Sequence, residues 1–171
     1  AGTHVVSREG SPIGSLRSGF DAANLRIAVI ASHFNRDVTD RLVTGATTCF
    51  SEHGVKPKGI EVIRVPGAWE LPQAASTVLR LDRHDAIVTL GCVIRGETPH
   101  FEYVCSATNN GVAAVALEAP IPVVFGVLTT ENRKQALERA REGGDNKGYE
   151  AAMAALQMID LYRSLESNCP R

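Results

Sequence analysis

The stretch Val93–Val104, VIRGETPHFEYV, sets an arginine, a glycine, a threonine, a proline and a histidine between two apolar runs. If a helix begins there, free backbone N–H groups around Glu97 and Thr98 point outward. With the positive helix end they suit a phosphate or a carboxylate. Thr98 adds a hydroxyl, though it could equally be a simple N-cap. His100, at the same helix start, brings the side chain best suited to shuttling a proton near pH 7; the plain alternative is a surface histidine. Phe34 follows an apolar run inside a polar loop, where it either stacks on a flat ligand or packs beneath the loop. Trp69 is read as a core residue or as a second flat surface. Glu70 beside it either accepts hydrogen bonds from a polyol or favours a helix N-terminus. Arg139 and Lys147 flank AREGGDN, where cations near a helix C-terminus are unremarkable unless that end meets another subunit.

Regular elements must hold these groups. LRIAVIAS (25–32), GIEVIRVP (59–66), AIVTLGCVI (86–94) and IPVVFGVLT (121–129) read as strands, the first buried on both faces. Between them, Val38, Leu42, Ala46, Cys49 and Phe50 recur at helical spacing, ending near Gly54. WELPQAASTVLRL (69–81) is a helix with Pro72 in its first turn, and His100–Glu118 a third. TTENRKQALERARE opens on Thr130 as capping residue and stops at Gly143-Gly144. A last helix puts Ala151, Ala154, Ala155, Met158 and Leu161 on one face.

Strand and helix alternating four times predict a three-layer α/β sandwich of flavodoxin-like type, a four-stranded parallel sheet in the order 2-1-3-4 flanked by helices. In such sheets ligands bind beyond the carboxyl ends of the strands. The four segments there, SHFNRD, PGAWELP, RGETPH and TTEN, carry Phe34, Trp69, Glu70, Glu97, Thr98 and His100; Arg139 and Lys147 lie further along. Residues 1–24 are polar and aperiodic and read as an N-terminal arm, with a short edge strand around Ser11 to Leu16. Residues 25–171 read as one catalytic domain.

With 171 residues, 44% of them hydrophobic and 22% charged, the chain has the profile of an ordinary globular domain. A net charge of −1 argues against a broad nucleic-acid surface, and no apolar run reaches membrane-helix length. No signal pattern opens the chain, so the cytoplasm is the expected location, or an organelle if a transit peptide has been removed. Cys49, Cys92, Cys105 and Cys169 form no Cys-x-x-Cys pair and are expected to be free thiols, Cys92 and Cys105 as small buried groups. His33 lies near the site; His4, His53 and His84 are expected at the surface. No two histidines have metal-ligand spacing on a helix face, so no metal is expected.

Taken together, SHFN (32–35), VPGAWELP (65–72), GCVIRGETPHFEYV (91–104), PVVFGVLTTEN (122–132) and NKG (146–148) resemble the lumazine synthase family of riboflavin biosynthesis, from about Leu25 to the C-terminal helix. The resemblance implies condensation of 5-amino-6-(D-ribitylamino)uracil with 3,4-dihydroxy-2-butanone 4-phosphate to 6,7-dimethyl-8-ribityllumazine, with neither metal nor organic cofactor. It implies that Phe34 stacks on the pyrimidine, that Asn35, Glu70 and the backbone at Ala68 and Trp69 hold the ribityl chain, and that Val93 and Ile94 line the ring. Glu97 and Thr98 amides with Arg139 resemble the phosphate cradle, and His100 the proton-transfer residue. Phe125, Arg139 and Lys147 are implied to come from a neighbouring subunit. The family forms pentamers, some assembled into 60-subunit icosahedral shells; the short link from Arg139 to Lys147 favours the shell. Three positions depart from the family pattern. Trp69 replaces phenylalanine or tyrosine. Glu97 replaces a smaller residue and has to point away or be neutralised by Arg95. AREGGDNKG lacks a second lysine. A catalytically silent flavin- or lumazine-binding module and a purely structural shell protein are the competing classes.

Overall fold

The computed structural model describes residues 14–168. β1 (Ile27–Ser32) is buried at every position. A strand with no solvent-facing side has to be covered above and below, the situation of an inner strand in a parallel sheet. β3 (Ala86–Ile94) is buried over its first seven residues and opens only at its carboxyl end. β2 (Ile60–Val65) and β4 (Val123–Thr130) are the partly exposed edges, and the order is β2-β1-β3-β4 with every pairing parallel. The helices are α1 (Arg36–Glu52), α2 (Leu71–Arg80), α3 (His100–Glu118), α4 (Arg133–Arg139) and α5 (Lys147–Ser167). This is the expected flavodoxin-like sandwich.

The strands do not end level. β3 pairs with β1 only as far as Leu90, opposite Ala31, but with β4 as far as Ile94, opposite Thr130. Gly91–Ile94 therefore stand proud of β1 and present a short free strand edge at the tips.

Two apolar clusters lie on opposite faces. Val29, Ala31, Val38, Leu42, Ala46, Ala136, Ala152 and Leu156 join α1, α4 and α5 to one face. Ala28, Ile30, Leu71, Ala75, Val78 and Ile87 join α2 to the other. α1 and α5 touch backbone to backbone: a Cβ on Gly148 would lie 1.9 Å from the Leu42 carbonyl oxygen. Residues 14–24 run along α5, where Arg17 pairs with the nearly buried Asp160 at 2.7 Å and Leu16 and Phe20 pack against the core. Half of the strand expected around Ser11 to Leu16 lies outside the described residues; Gly14, Ser15 and Leu16 form none.

Three local expectations are corrected. Asn132, not Thr130, caps α4, its side chain accepting from the Gln135 N–H at 2.9 Å. Thr130 is buried and donates to the Asn132 carbonyl. α4 ends at Arg139 rather than at Gly143 because the Asn146 side-chain amide takes the carbonyls of Ala140 and Arg141 at 3.0 Å each. On α5 the buried stripe runs through Gly148, Ala152, Ala155, Leu156 and Ile159, so Leu161 is exposed; alanine on several sides had blurred the period. Among the described residues, no helix is long and apolar enough to cross a membrane.

Candidate active site

The four strand tips are tied together in the order of the sheet. The His33 and Phe34 N–H groups, after β1, donate to the carbonyls of Val65 and Pro66, at the end of β2, at 2.7 and 3.0 Å. The Asn35 side-chain amide donates to the Cys92 carbonyl on the free edge of β3 at 2.9 Å. Beyond β3, the Arg95 N–H donates to the Thr130 carbonyl at 2.9 Å, and the Arg95 guanidinium pairs with Glu131 at 2.6 Å. One continuous rim results.

Phe34 stands 70% exposed on that rim, so it does not pack beneath its loop. Asn35 follows in the left-handed region, φ 55°, a conformation asparagine tolerates better than most residues. The expectation of a core tryptophan fails: Trp69 is 59% exposed. It sits in a 3₁₀ turn, Ala68–Glu70, whose small member Ala68 is the one turned inward. Glu70 accepts from the Gly67 N–H at 2.9 Å through one carboxylate oxygen, which leaves the other as an acceptor at the rim.

Arg95 to His100 are all exposed. Pro99 takes the cap position of α3 without a side-chain hydrogen bond, so Thr98 is not the capping residue. Among the described residues no acceptor meets the N–H of Glu97 or Thr98. Open donors at the head of a 19-residue helix favour an anion. Arg95 does not neutralise Glu97. Its guanidinium is taken by Glu131 and Glu102, and it lies 4.3 Å from the Phe101 ring centroid. The hydrogen bonds that Arg95 donates to Glu131 and then to Glu102 raise the Arg95 pKa, and the same donation holds Glu102 below the usual carboxylate range. Burial pushes the Cys92 thiol up to about 11, so it stays protonated at neutral pH and is no nucleophile.

The remaining candidates do not converge within one chain. Phe125 is 40% exposed in mid-β4, five residues and about 16 Å of strand from the tip. Arg139 donates to the Gln135 carbonyl of its own helix at 3.1 Å, and the Lys147 ammonium lies 2.8 Å from Glu150. In the NKG segment, Asn146 is buried and caps α5 through the N–H groups of Gly148 and Tyr149, while Gly148 makes the close α1 contact. Both are structural residues. A cavity of about 690 Å³ lies away from the tips, between α1 and the α4–α5 link, against Arg41, Thr44, Thr48, Glu142, Asn146 and Tyr149; it holds no candidate residue.

Other expectations divide. Cys49, Cys92 and Cys105 are free, Cys92 buried and Cys105 only half-buried; Cys169 and His4 lie outside the described residues. The His84 side chain is buried rather than superficial, 3% exposed, with its Nε2 2.7 Å from Glu61 on β2. Sequence reasoning missed Arg64 and Glu131, whose partners are fixed by the sheet, and Glu102, which meets Arg95 across the turn into α3. Among the described residues no three His, Cys, Asp or Glu side chains are grouped to hold a metal ion.

A free strand edge, an exposed aromatic ring and an open helix head on one rim narrow the possibilities, and comparison with known proteins decides among them. Residues 24–163 match the family 6,7-dimethyl-8-ribityllumazine synthase. The chain belongs to this family. The enzyme of that name from Chlorobium phaeovibrioides (strain DSM 265 / 1930) is 44% identical over 153 residues, spanning 90% of this chain and 99% of that protein. The one from Chlorobaculum tepidum (strain ATCC 49652 / DSM 12025 / NBRC 103806 / TLS) is 46% identical over 151 residues, spanning 88% and 97%. As a member of the lumazine synthase family, the chain is an enzyme of the transferase class acting on small molecules.

Proposed function

We propose that the rim binds both substrates of the lumazine synthase reaction and that an adjacent copy of the chain completes it. The reaction condenses 5-amino-6-(D-ribitylamino)uracil with 3,4-dihydroxy-2-butanone 4-phosphate to 6,7-dimethyl-8-ribityllumazine, releasing phosphate and water. In this reading Phe34 stacks on the pyrimidine. The free edge of β3 at Val93 and Ile94 reads the uracil through backbone groups, a role supported by the early end of the β1 pairing. Glu70, Asn35 and the backbone of Ala68 and Trp69 hold the ribityl hydroxyls. The phosphate lies on the Glu97 and Thr98 amides.

The order of events is amine attack on the ketone, Schiff base formation, phosphate elimination, enol–keto tautomerisation and ring closure. His100 moves the protons. Holding two reactants together is worth about 7–11 kcal/mol of barrier, so His100 need supply only the roughly 10²–10⁴-fold typical of a positioned acid or base.

The observation that carries the shared site is the mismatch between the open amides of Glu97 and Thr98 and the cations Arg139 and Lys147, which turn to acceptors on their own helices. In the assembled site Phe125, Arg139 and Lys147 come from the adjacent copy. Head-to-tail contacts of this kind close into a ring. A pentamer, and from it a 60-subunit icosahedral shell, is the proposed assembly. Leu117, 87% exposed on α3, and Tyr103 on the same helix offer apolar surface for it. The division into an arm, residues 1–24, and a domain, residues 25–171, belongs to the same reading, with the cytoplasm as residence and an organelle as the alternative.

Sedimentation combined with product fluorescence tests the proposal. Lumazine formed by a shell-sized particle is the expected outcome. An 18.3 kDa chain sedimenting at pentamer size removes the shell, and an active monomer removes the shared site. A spectral shift without turnover turns the protein into a binder.

A further inference from the structure

Phe34 presents a ring that is 70% exposed, so its direction is set chiefly by the backbone that carries it. The two stems of its loop are the end of β1 and the first turns of α1. Both are gripped from β2 by Arg64. This residue pairs in register with Ala31, and its side chain crosses to α1. Nη1 donates to the Ser32 carbonyl and to the Thr39 hydroxyl at 3.2 Å each, and Nη2 pairs with Asp40. Ser32 and Thr39 are fully buried, and the Thr39 hydroxyl donates to the same Ser32 carbonyl at 2.8 Å. Asp40 also takes Arg36 at 3.2 Å, so its charge is shared by two guanidinium groups.

We propose that Arg64 is a positioning residue for the pyrimidine subsite: by clamping the Ser32 carbonyl to Thr39 and Asp40 it fixes the pitch of the loop and hence of the Phe34 ring. A planar guanidinium suits this task, because its two terminal nitrogens reach separate acceptors in a fixed geometry, whereas an ammonium on a flexible stem holds one acceptor set at a time. Small displacements of a stacking group weaken binding of the ring it faces and leave distant contacts alone. The phosphate cradle lies across β3 from this clamp and is held by other groups, so the two substrates respond differently.

This inference rests on Phe34 stacking on the pyrimidine, and the experiment separates the two. Steady-state kinetics are measured on the full chain carrying Arg64→Met, Arg64→Lys, Phe34→Ala and the double variant Arg64→Met/Phe34→Ala. The expected result is a KM for the ribitylaminouracil raised about tenfold in Arg64→Met, partial rescue in Arg64→Lys, and a KM for the butanone phosphate changed less than about twofold. In the Phe34→Ala background the Arg64 effect disappears, because both substitutions act through one ring. Equal rises in both KM values, or additive effects in the double variant, overturn the proposal. Should Arg64→Met fail to fold, Asp40→Asn reads the same clamp from its solvent side, and an unchanged pyrimidine KM there overturns it as well. A Phe34→Ala enzyme with unaltered pyrimidine KM defeats the stacking role itself, independently of Arg64.

Discussion

The two faces of the sheet are finished to different degrees. On one, the 21-residue α5 buries eight residues, from Gly148 to Asp160, and packs against β3, β4 and α1. On the other, the 19-residue α3 buries only Thr108 and Val112. Helix length is nearly the same, so the difference lies in what each helix is packed against. Within one chain the α5 face is a completed core, whereas the α3 face is left largely uncovered. A parallel sheet and its helices need both sides covered, and the substrate rim sits where the unfinished side meets the strand tips. The lesson is a division of labour: the closed face holds the chain together, and the open face is the one on which the proposed second copy would dock.

The strongest way to test the closed face is Gly148→Ala. Its Cβ would meet the Leu42 carbonyl, and neither backbone can give way, so a loss of about 3 kcal/mol or more is expected in chemical denaturation. A stable Gly148→Ala chain breaks the comparison at its firmest point. Leu117→Glu is the counterpart on the open face. Chain stability should change by less than about 0.5 kcal/mol, while sedimentation shifts to monomer and activity falls with it. An intact oligomer in Leu117→Glu would place the interface elsewhere.

The rim between the faces sharpens the picture. His100→Ala is expected to lower kcat by about 10²-fold or more and still leave measurable turnover, since reactant positioning survives. Arg139→Ala should raise the KM of the phosphate-bearing substrate by about tenfold, with the pyrimidine KM nearly constant. Mixing the impaired His100→Ala and Arg139→Ala chains should restore part of the lost activity if the two residues meet across an interface.

The smallest effect belongs to the closed face again. Burial alone would raise the Asp160 pKa, yet its hydrogen bonds from the Arg17 backbone and side chain outweigh that and hold it below the ordinary 3.8. A carboxylate depressed in the folded state adds stability that is fully present above the unfolded value and is lost as pH falls through the folded one. Arg17→Ala should therefore cost about 1 kcal/mol near neutrality and little in acid. A difference that persists below pH 3 would assign the loss to packing instead of charge.

Much of this was legible in the residues themselves. AIVTLGCVI and His100–Glu118 coincide with β3 and α3 end to end, because an unbroken apolar run bounded by Asp85 and Arg95, and a long segment started by Pro99, leave few alternatives. The strand order followed from right-handed crossovers. Local signals failed where several residues could do one job. Asn132 and Thr130 both make plausible caps, and only the chain path chose between them. Trp69 looked like core by type, but a 3₁₀ turn that buries Ala68 swings it outward.

By itself, then, the amino-acid order determined the alternation of elements, the rim on which the chemistry-bearing residues fall and the family to which they point, since periodicity and capping are near-neighbour properties. Tertiary structure alone decided that Arg64 grips both stems of the Phe34 loop, that Arg95 serves Glu131 and Glu102 and not Glu97, and that β3 outruns β1. Arg64 and Ser32, Arg95 and Glu131, and β3 and β1 are far apart along the chain, and no spacing rule reaches across the gap between two strands.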